Sequence, residues 1–182
     1  MQKWILTLTA LFMFTYQAAA GSLGIFGAYW DPSDADSEIG FGAKLNVPLS
    51  PTVALEIRGS YFEFEESTGG TSATLEVIPI EAALLYMFAG DDVIRPYVGG
   101  GVGYYLMDLE WSSPAGSMNP DVDDEVGFFA VGGAEFKISD RLSLFAEAKY
   151  TWLEIDTIEG MATTGDDDLS GFGANVGLLL RW

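Results

Sequence analysis

The sequence contains no cysteine and no histidine among its 182 residues. Without cysteine there are no disulfides, no thiolate metal sites and no lipid anchor on a cysteine after a leader. Without histidine, Ser-His-Asp triads, Cys-His pairs and His-based zinc sites are excluded. An enzyme that works with carboxylates alone is the one catalytic class left. We therefore expect a protein that is not an enzyme and that has no catalytic residue, no metal ligand and no cofactor.

Basic residues are scarce. Eight Lys and Arg face 27 Asp and Glu, which gives a formal net charge of −19. A chain of this charge repels phosphates and offers no basic patch to hold them. Nucleic acid is therefore not an expected partner.

Long hydrophobic runs are missing after the first twenty residues. Within those twenty, Gln2-Lys3 is followed by an uncharged apolar run over Trp4–Tyr16 and by Ala18-Ala19-Ala20 before Gly21. A basic start, a short apolar run and an A-x-A site are typical of a cleaved secretory signal. As a membrane anchor the run is short, because a spanning helix needs about 20 residues. We predict a signal peptide over 1–20 and one domain over 21–182.

The rest of the chain alternates between apolar and polar residues. Segments of about ten residues with this period, separated by turn residues, are typical of transmembrane strands. Eight can be marked, at Leu23–Trp30, Ile39–Val47, Val53–Phe64, Leu75–Phe88, Ile94–Leu106, Val126–Ile138, Leu142–Leu153 and Leu169–Trp182. They predict an all-β fold, an eight-stranded antiparallel up-and-down transmembrane β-barrel.

The connections between these segments alternate in length. The long ones are 31–38, 65–74, 107–125 and 154–168, and the short ones are 48–52, 89–93 and 139–141. Outer-membrane barrels have long extracellular loops and short periplasmic turns. The pattern therefore predicts a bacterial outer-membrane location.

Charged residues within the strands indicate which face points inward, because a Lys or Arg facing lipid costs about 2–4 kcal/mol at mid-bilayer. The first strand stays ambiguous, since both of its faces are apolar. The other strands leave apolar residues for the wall, whereas a lipocalin-like soluble barrel needs the reverse arrangement. We predict a structural ion-pair network in the lumen, formed by Lys44, Glu56, Arg58, Glu81, Arg95, Glu135, Lys137, Glu147, Lys149 and Arg181.

Pairing within this network follows from the hairpins. Folding the chain symmetrically about 48–52 places Lys44 opposite Glu56, and closing the next hairpin across Gly69-Gly70 places Arg58 opposite Glu81. An eight-stranded barrel has an interior only just wide enough for side chains to fill. We therefore expect the lumen to be plugged by charged pairs.

Three sets of stretches stand out in combination: 78–80 with 86–88, 95–104, and 133–136 with 147–150. They resemble the small outer-membrane barrels that include OmpX-like, OmpA-barrel-like and OmpW-like proteins. The last strand, with Val176, Leu178 and Leu180, resembles the signal that the outer-membrane assembly machinery reads. It departs from that signal because Trp182 stands where Phe is usual and Leu180 where an aromatic residue is common. The resemblance implies contact with the assembly machinery, with outer-membrane lipid and with lipopolysaccharide.

The loops hold most of the remaining acids and invite a divalent-cation hypothesis. Asp34, Asp36 and Glu38 have the alternate spacing of a calcium loop, but Ile39 and Leu45 stand where an EF-hand needs Gly and Glu. Acidic groups also occur at 121–125 and 166–168. Divalent cations at these loops are a candidate partner, and diffuse screening explains the acids equally well.

Two functions from different classes follow. The first is a structural protein with a plugged polar lumen and acidic extracellular loops, which serves envelope integrity or adhesion. The alternative is a narrow transporter of small hydrophobic molecules, as in OmpW-like proteins. It would use an apolar vestibule lined by Phe62, Phe64, Tyr105 and Phe129, for which a packed interior is the simpler interpretation.

Overall fold

The computed structural model describes residues 21–33, 36–68, 71–90, 93–113, 116–118, 124–155 and 167–182. Within these ranges, the side chains of 65–68, 71–73, 109–113, 116–118, 154–155 and 167–168 are outside the description. The predicted signal peptide also lies outside the described residues. No helix in the described ranges is long and apolar enough to cross a membrane.

The described chain forms eleven strands. Eight of them build the barrel: β1 (Ser22–Pro32), β2 (Glu38–Pro48), β3 (Val53–Thr68), β4 (Thr71–Met87), β5 (Ile94–Ser113), β7 (Glu125–Lys137), β8 (Leu142–Trp152) and β11 (Gly171–Arg181). Three are short additions, β6 (Gly116–Met118), β9 (Glu154–Ile155) and β10 (Asp167–Asp168).

The eight long strands close on themselves in chain order. Each barrel strand pairs antiparallel with its neighbours in the sequence, and β1 closes the ring by pairing with β11. Closure leaves no free sheet edge within the wall. The predicted eight-stranded antiparallel barrel is therefore confirmed.

The strand boundaries agree with the predicted segments at the short turns and differ at two of the long loops. β3 continues to Thr68 and β4 begins at Thr71, so most of the predicted loop 65–74 is paired strand. β5 likewise continues to Ser113, inside the predicted loop 107–125. The acidic residues in these stretches favour a loop, but the β3–β4 and β4–β5 pairings continue through them.

Side chains alternate between inside and outside along every barrel strand. Along β1 the alternation is complete, which settles the strand that the sequence left ambiguous: Phe26, Ala28 and Trp30 are buried inside, while Ile25 and Tyr29 face outward. Apolar side chains on the outer wall, such as Phe41, Leu84, Phe128 and Leu180, are half-exposed or more. An apolar outer wall around a partly charged interior is the arrangement of a membrane barrel.

Candidate functional site

The lumen is filled by two apolar clusters with charged side chains between them. The first cluster includes residues of β1, β3, β4, β5, β8 and β11 and reaches the loop end, where Trp30 packs against Phe62 and Phe64 with ring centroids 5.3 and 5.9 Å apart. The second lies on the side of β3, β4, β5 and β7 and includes Leu85 and Phe129. We call the six charged side chains between them, Lys44, Glu56, Arg58, Glu81, Glu147 and Lys149, the mid-lumen network.

Glu147 on β8 is the acceptor at the centre of this network. Its Oε2 accepts hydrogen bonds from Lys44 Nζ at 2.9 Å and from the Tyr97 hydroxyl at 2.5 Å. Its Oε1 accepts from Arg58 Nη1 at 2.6 Å and from Asn175 Nδ2 at 2.9 Å. These donors come from β2, β3, β5 and β11, so one carboxylate joins five strands across the barrel.

Arg58 links Glu147 to the other two carboxylates. It also donates to Glu56 on its own strand, and its Nε lies 4.0 Å from Glu81 Oε2. Glu81 is held more closely by Lys149 Nζ at 2.7 Å and by the Tyr105 hydroxyl at 2.8 Å. Each carboxylate of the network therefore has at least one cation within ion-pair distance.

Aromatic rings cover the faces that the carboxylates leave open. Lys44 Nζ lies 3.6 Å from the centroid of the Phe145 ring. Arg58 and Lys149 both lie over the Phe129 ring, at 5.6 and 5.4 Å. A cation over a ring face is attracted by the ring quadrupole, most strongly where water is excluded. The rings thus stabilise the cations without adding charge.

The network is balanced in charge and is almost dry. Three cations face three carboxylates, and the six side chains are 0–1% exposed except for Lys149 at 11%. Removing one partner of a buried pair leaves an uncompensated charge, which costs about 3–5 kcal/mol. Chemically, the arrangement can hold the lumen shut.

The structure corrects one of the predicted pairings. Lys44 stands directly opposite Arg58, and Glu56 opposite Asn46, so the β2–β3 register differs by two residues from a fold symmetrical about 48–52. The turn is closed by Leu49 and Ser50 donating to the Val53 carbonyl, which moves its centre toward Pro51. Lys44 still reaches Glu56 diagonally, at 3.1 Å. Arg58 does stand opposite Glu81, as predicted.

Four of the ten predicted network residues lie apart from the mid-lumen network, at the end of the barrel that carries the short turns. Arg181 pairs with Glu135 there, and Lys137 pairs with Asp140 of the following turn at 2.8 Å. Arg95 donates to the Pro51 carbonyl at 2.6 Å. We call this region the turn-end vestibule.

The aromatic residues predicted to line an apolar vestibule are packed into the interior. Phe62, Phe64 and Tyr105 are 0–8% exposed in the first cluster, and Phe129 belongs to the second. Of the acidic loop residues, Asp34, Asp121, Asp123 and Asp166 lie outside the described residues. Among the residues that are described, no group of three acids is placed to hold a metal ion.

The sequence does not predict Tyr97 and Phe145 as members of the network, and it places Tyr105 and Phe129 in an apolar vestibule instead. Tyr97 and Tyr105 donate to carboxylates, and Phe145 and Phe129 cover cations. The period of two that places Arg95 inside also places Tyr97 and Tyr105 inside. Which carboxylate each hydroxyl reaches depends on the strand stagger, which the hydrophobic pattern does not contain.

Comparison with known proteins agrees with the barrel fold. The family model described as outer membrane protein beta-barrel domain matches residues 6–179, so the chain belongs to that family. No curated protein matches the sequence at a significant level.

Solved structures share the fold at low sequence identity. Neisserial surface protein A is 12% identical with a TM-score of 0.62, and the match covers 90% of this chain and 96% of that one. Ail, the attachment invasion locus protein of Yersinia pestis, is 11% identical with a TM-score of 0.57, covering 90% and 97%. Escherichia coli outer membrane protein W is 14% identical with a TM-score of 0.56, covering 89% and 98%. At these identities the likeness extends to the fold alone.

Proposed function

We propose that this protein is a non-conducting outer-membrane barrel with a structural or interaction role, whose lumen is plugged by the mid-lumen network. The observation that carries the proposal is the burial of three cations and three carboxylates between two packed apolar clusters. A hydrated ion crossing this layer would have to separate pairs that are held at 2.6–2.9 Å. Separation in a low-dielectric interior costs several kcal/mol.

The role in the envelope rests on the outside of the same barrel. The apolar wall fits outer-membrane lipid, and acidic residues stand above it on the extended strands, with Glu63 opposite Glu76 and Glu76 opposite Asp108. We propose that the chain is exported with loss of residues 1–20, assembled through β11, and anchored beside lipopolysaccharide. The strands beyond the wall would then carry the adhesive or envelope-integrity function.

The transporter alternative is less well supported by the interior. It needs a continuous apolar path from the loop end to the wall. Trp30, Phe62 and Phe64 stand on that path and make ring contacts of 5.3–6.4 Å with one another. A transport function would require these rings to move together.

Planar-bilayer recording tests the proposed plug. We expect no stable conductance steps from the wild-type protein. Phe145→Ala removes a fully buried ring beside Lys44 and should admit water and small ions. Phe41→Ala is the matched control, because it removes the same ring from the outer wall, where Phe41 is 66% exposed; it should stay silent.

Circular dichroism must first show that both variants are folded. Large, stable steps from the wild-type protein would refute the plugged lumen. Permeation of a small hydrophobic dye into vesicles that hold the silent wild-type barrel would favour the transporter instead.

A further inference from the structure

The turn-end vestibule contains two adjoining recesses that the plug does not use. Their volumes are about 260 and 330 Å³, and Arg95, Glu135 and Arg181 line both. Together they reach the lower part of the range of about 300–1,000 Å³ in which small-molecule sites fall. They lie below the mid-lumen network and open toward the short turns.

Charge in the vestibule is opposite in sign to that of the whole protein. Among the described side chains that line the recesses, three cations, Arg95, Lys137 and Arg181, face two carboxylates, Glu135 and Asp140, whereas the whole chain carries −19. Arg181 forms an ion pair with Glu135 and donates a hydrogen bond to the Ser143 hydroxyl, and Lys137 forms an ion pair with Asp140. The excess cation is Arg95.

Arg95 is presented to the recess with most of its hydrogen-bonding capacity unused. A guanidinium carries five N–H donors in a planar fork. Within the described part of the chain, the one acceptor that Arg95 reaches is the Pro51 carbonyl. That bond holds the exposed guanidinium in place, so that its other donors can bind a carboxylate or phosphate in two-point fashion.

A second, buried group points to the same ligand. Asn46 is 8% exposed and lines the first recess, yet its Oδ1 has no hydrogen-bond partner among the described residues. A buried amide oxygen without a donor costs about 1–3 kcal/mol, which an incoming N–H group would recover. Ala54 and Met87, whose side chains are buried on the inner faces of β3 and β4, add apolar surface to this recess.

From these three features we infer that the turn-end vestibule binds a small organic anion with a short apolar body and an N–H donor. Arg95 binds the anion, Asn46 accepts the N–H hydrogen bond, and Ala54 and Met87 contact the apolar body. N-acylated amino acids have this chemistry. Because the short turns of such barrels face the periplasm, the ligand would be a periplasmic one.

Isothermal titration calorimetry of the folded protein in an uncharged detergent tests the site, with N-acetylalanine as the probe. We expect saturable binding with one ligand per chain. N-acetylalanine methyl ester, which lacks the anion, should not bind. O-acetyl-lactate keeps the carboxylate and replaces the amide N–H by oxygen, so it should bind at least about threefold more weakly than N-acetylalanine.

Substitutions test the roles of Arg95 and Asn46 in binding. Arg95→Gln should weaken binding at least about tenfold, because a charge-assisted contact is lost. Arg141→Gln is the matched control: it removes the same charge from an exposed turn residue that lines neither recess, and binding should stay within about twofold. Asn46→Ala should remove the preference for N-acetylalanine over O-acetyl-lactate.

Three results would overturn the inference. They are the absence of saturable heat from N-acetylalanine, equal binding of the acid and its methyl ester, and an equal loss in Arg95→Gln and Arg141→Gln. The comparison of acid with ester needs no variant, so the test stands even where a substitution impairs folding. None of these results bears on the conductance of the barrel.

Discussion

Replacing the central acceptor of the mid-lumen network isolates what its charge contributes to stability. Glu147→Gln keeps the size of the side chain and removes one negative charge, so three cations face the two remaining carboxylates, Glu56 and Glu81. The new amide group also points N–H donors at Lys44 or Arg58, which are donors themselves. A stranded buried charge costs about 3–5 kcal/mol, and we expect a loss of that size in the free energy of unfolding.

Reversible urea unfolding in lipid vesicles, followed by tryptophan fluorescence, measures this loss. Asp36→Asn is the control, because it removes the same charge from an exposed residue; exposed changes usually stay within about 0.5 kcal/mol. A Glu147→Gln barrel as stable as the Asp36→Asn barrel would refute the idea that charge balance holds the interior together.

A second substitution separates charge balance from the loss of individual hydrogen bonds. Adding Lys44→Met to Glu147→Gln leaves two cations and two carboxylates, so we expect the double variant to recover part of the loss. Residues in one ion-pair network show coupling energies of about 0.5–3 kcal/mol. If the two substitutions lower the stability additively, the network is a set of separate contacts and the charge-balance argument is wrong.

Most of the fold could be predicted from the sequence because one physical rule governs every strand. Lipid on one side and a narrow interior on the other make the period of two strict, so a single charged residue such as Lys44 or Glu81 fixes the phase of a whole strand. The same rule explains why the inward face of β1 could not be assigned from the sequence: β1 carries no charged residue between Gly24 and Tyr29. Its buried ring, Phe26, could not be distinguished from an outward one.

The arrangement within the lumen was less predictable, because it depends on how far each strand is shifted along its neighbour. Lys44 was assigned to the correct face, but its direct neighbour is Arg58 instead of Glu56. Glu147 has a central position because four strands bring donors to one level. The shift of each strand along its neighbour is set by the turns and by closure of the ring. The alternation of apolar and polar residues determines neither of these.

Two further changes test the turn end and the wall. Lys137 donates a hydrogen bond to Asp140 and lies beside it as a cation, which holds the pKa of that carboxyl below its usual range. Lys137→Met should therefore raise the pKa of Asp140. An NMR titration of Asp140 that is the same in this variant as in the wild-type protein would contradict the pairing. Gly101 faces inward on β5, and an added Cβ would clash with the Ala82 carbonyl oxygen, whereas a Cβ at outward-facing Gly27 meets nothing within 4 Å. Because backbone must move to admit the methyl group, Gly101→Ala should lower the free energy of unfolding by about 1–3 kcal/mol while Gly27→Ala leaves it unchanged. Equal urea midpoints for the two variants would mean that β4 and β5 are not packed as closely as their pairing requires.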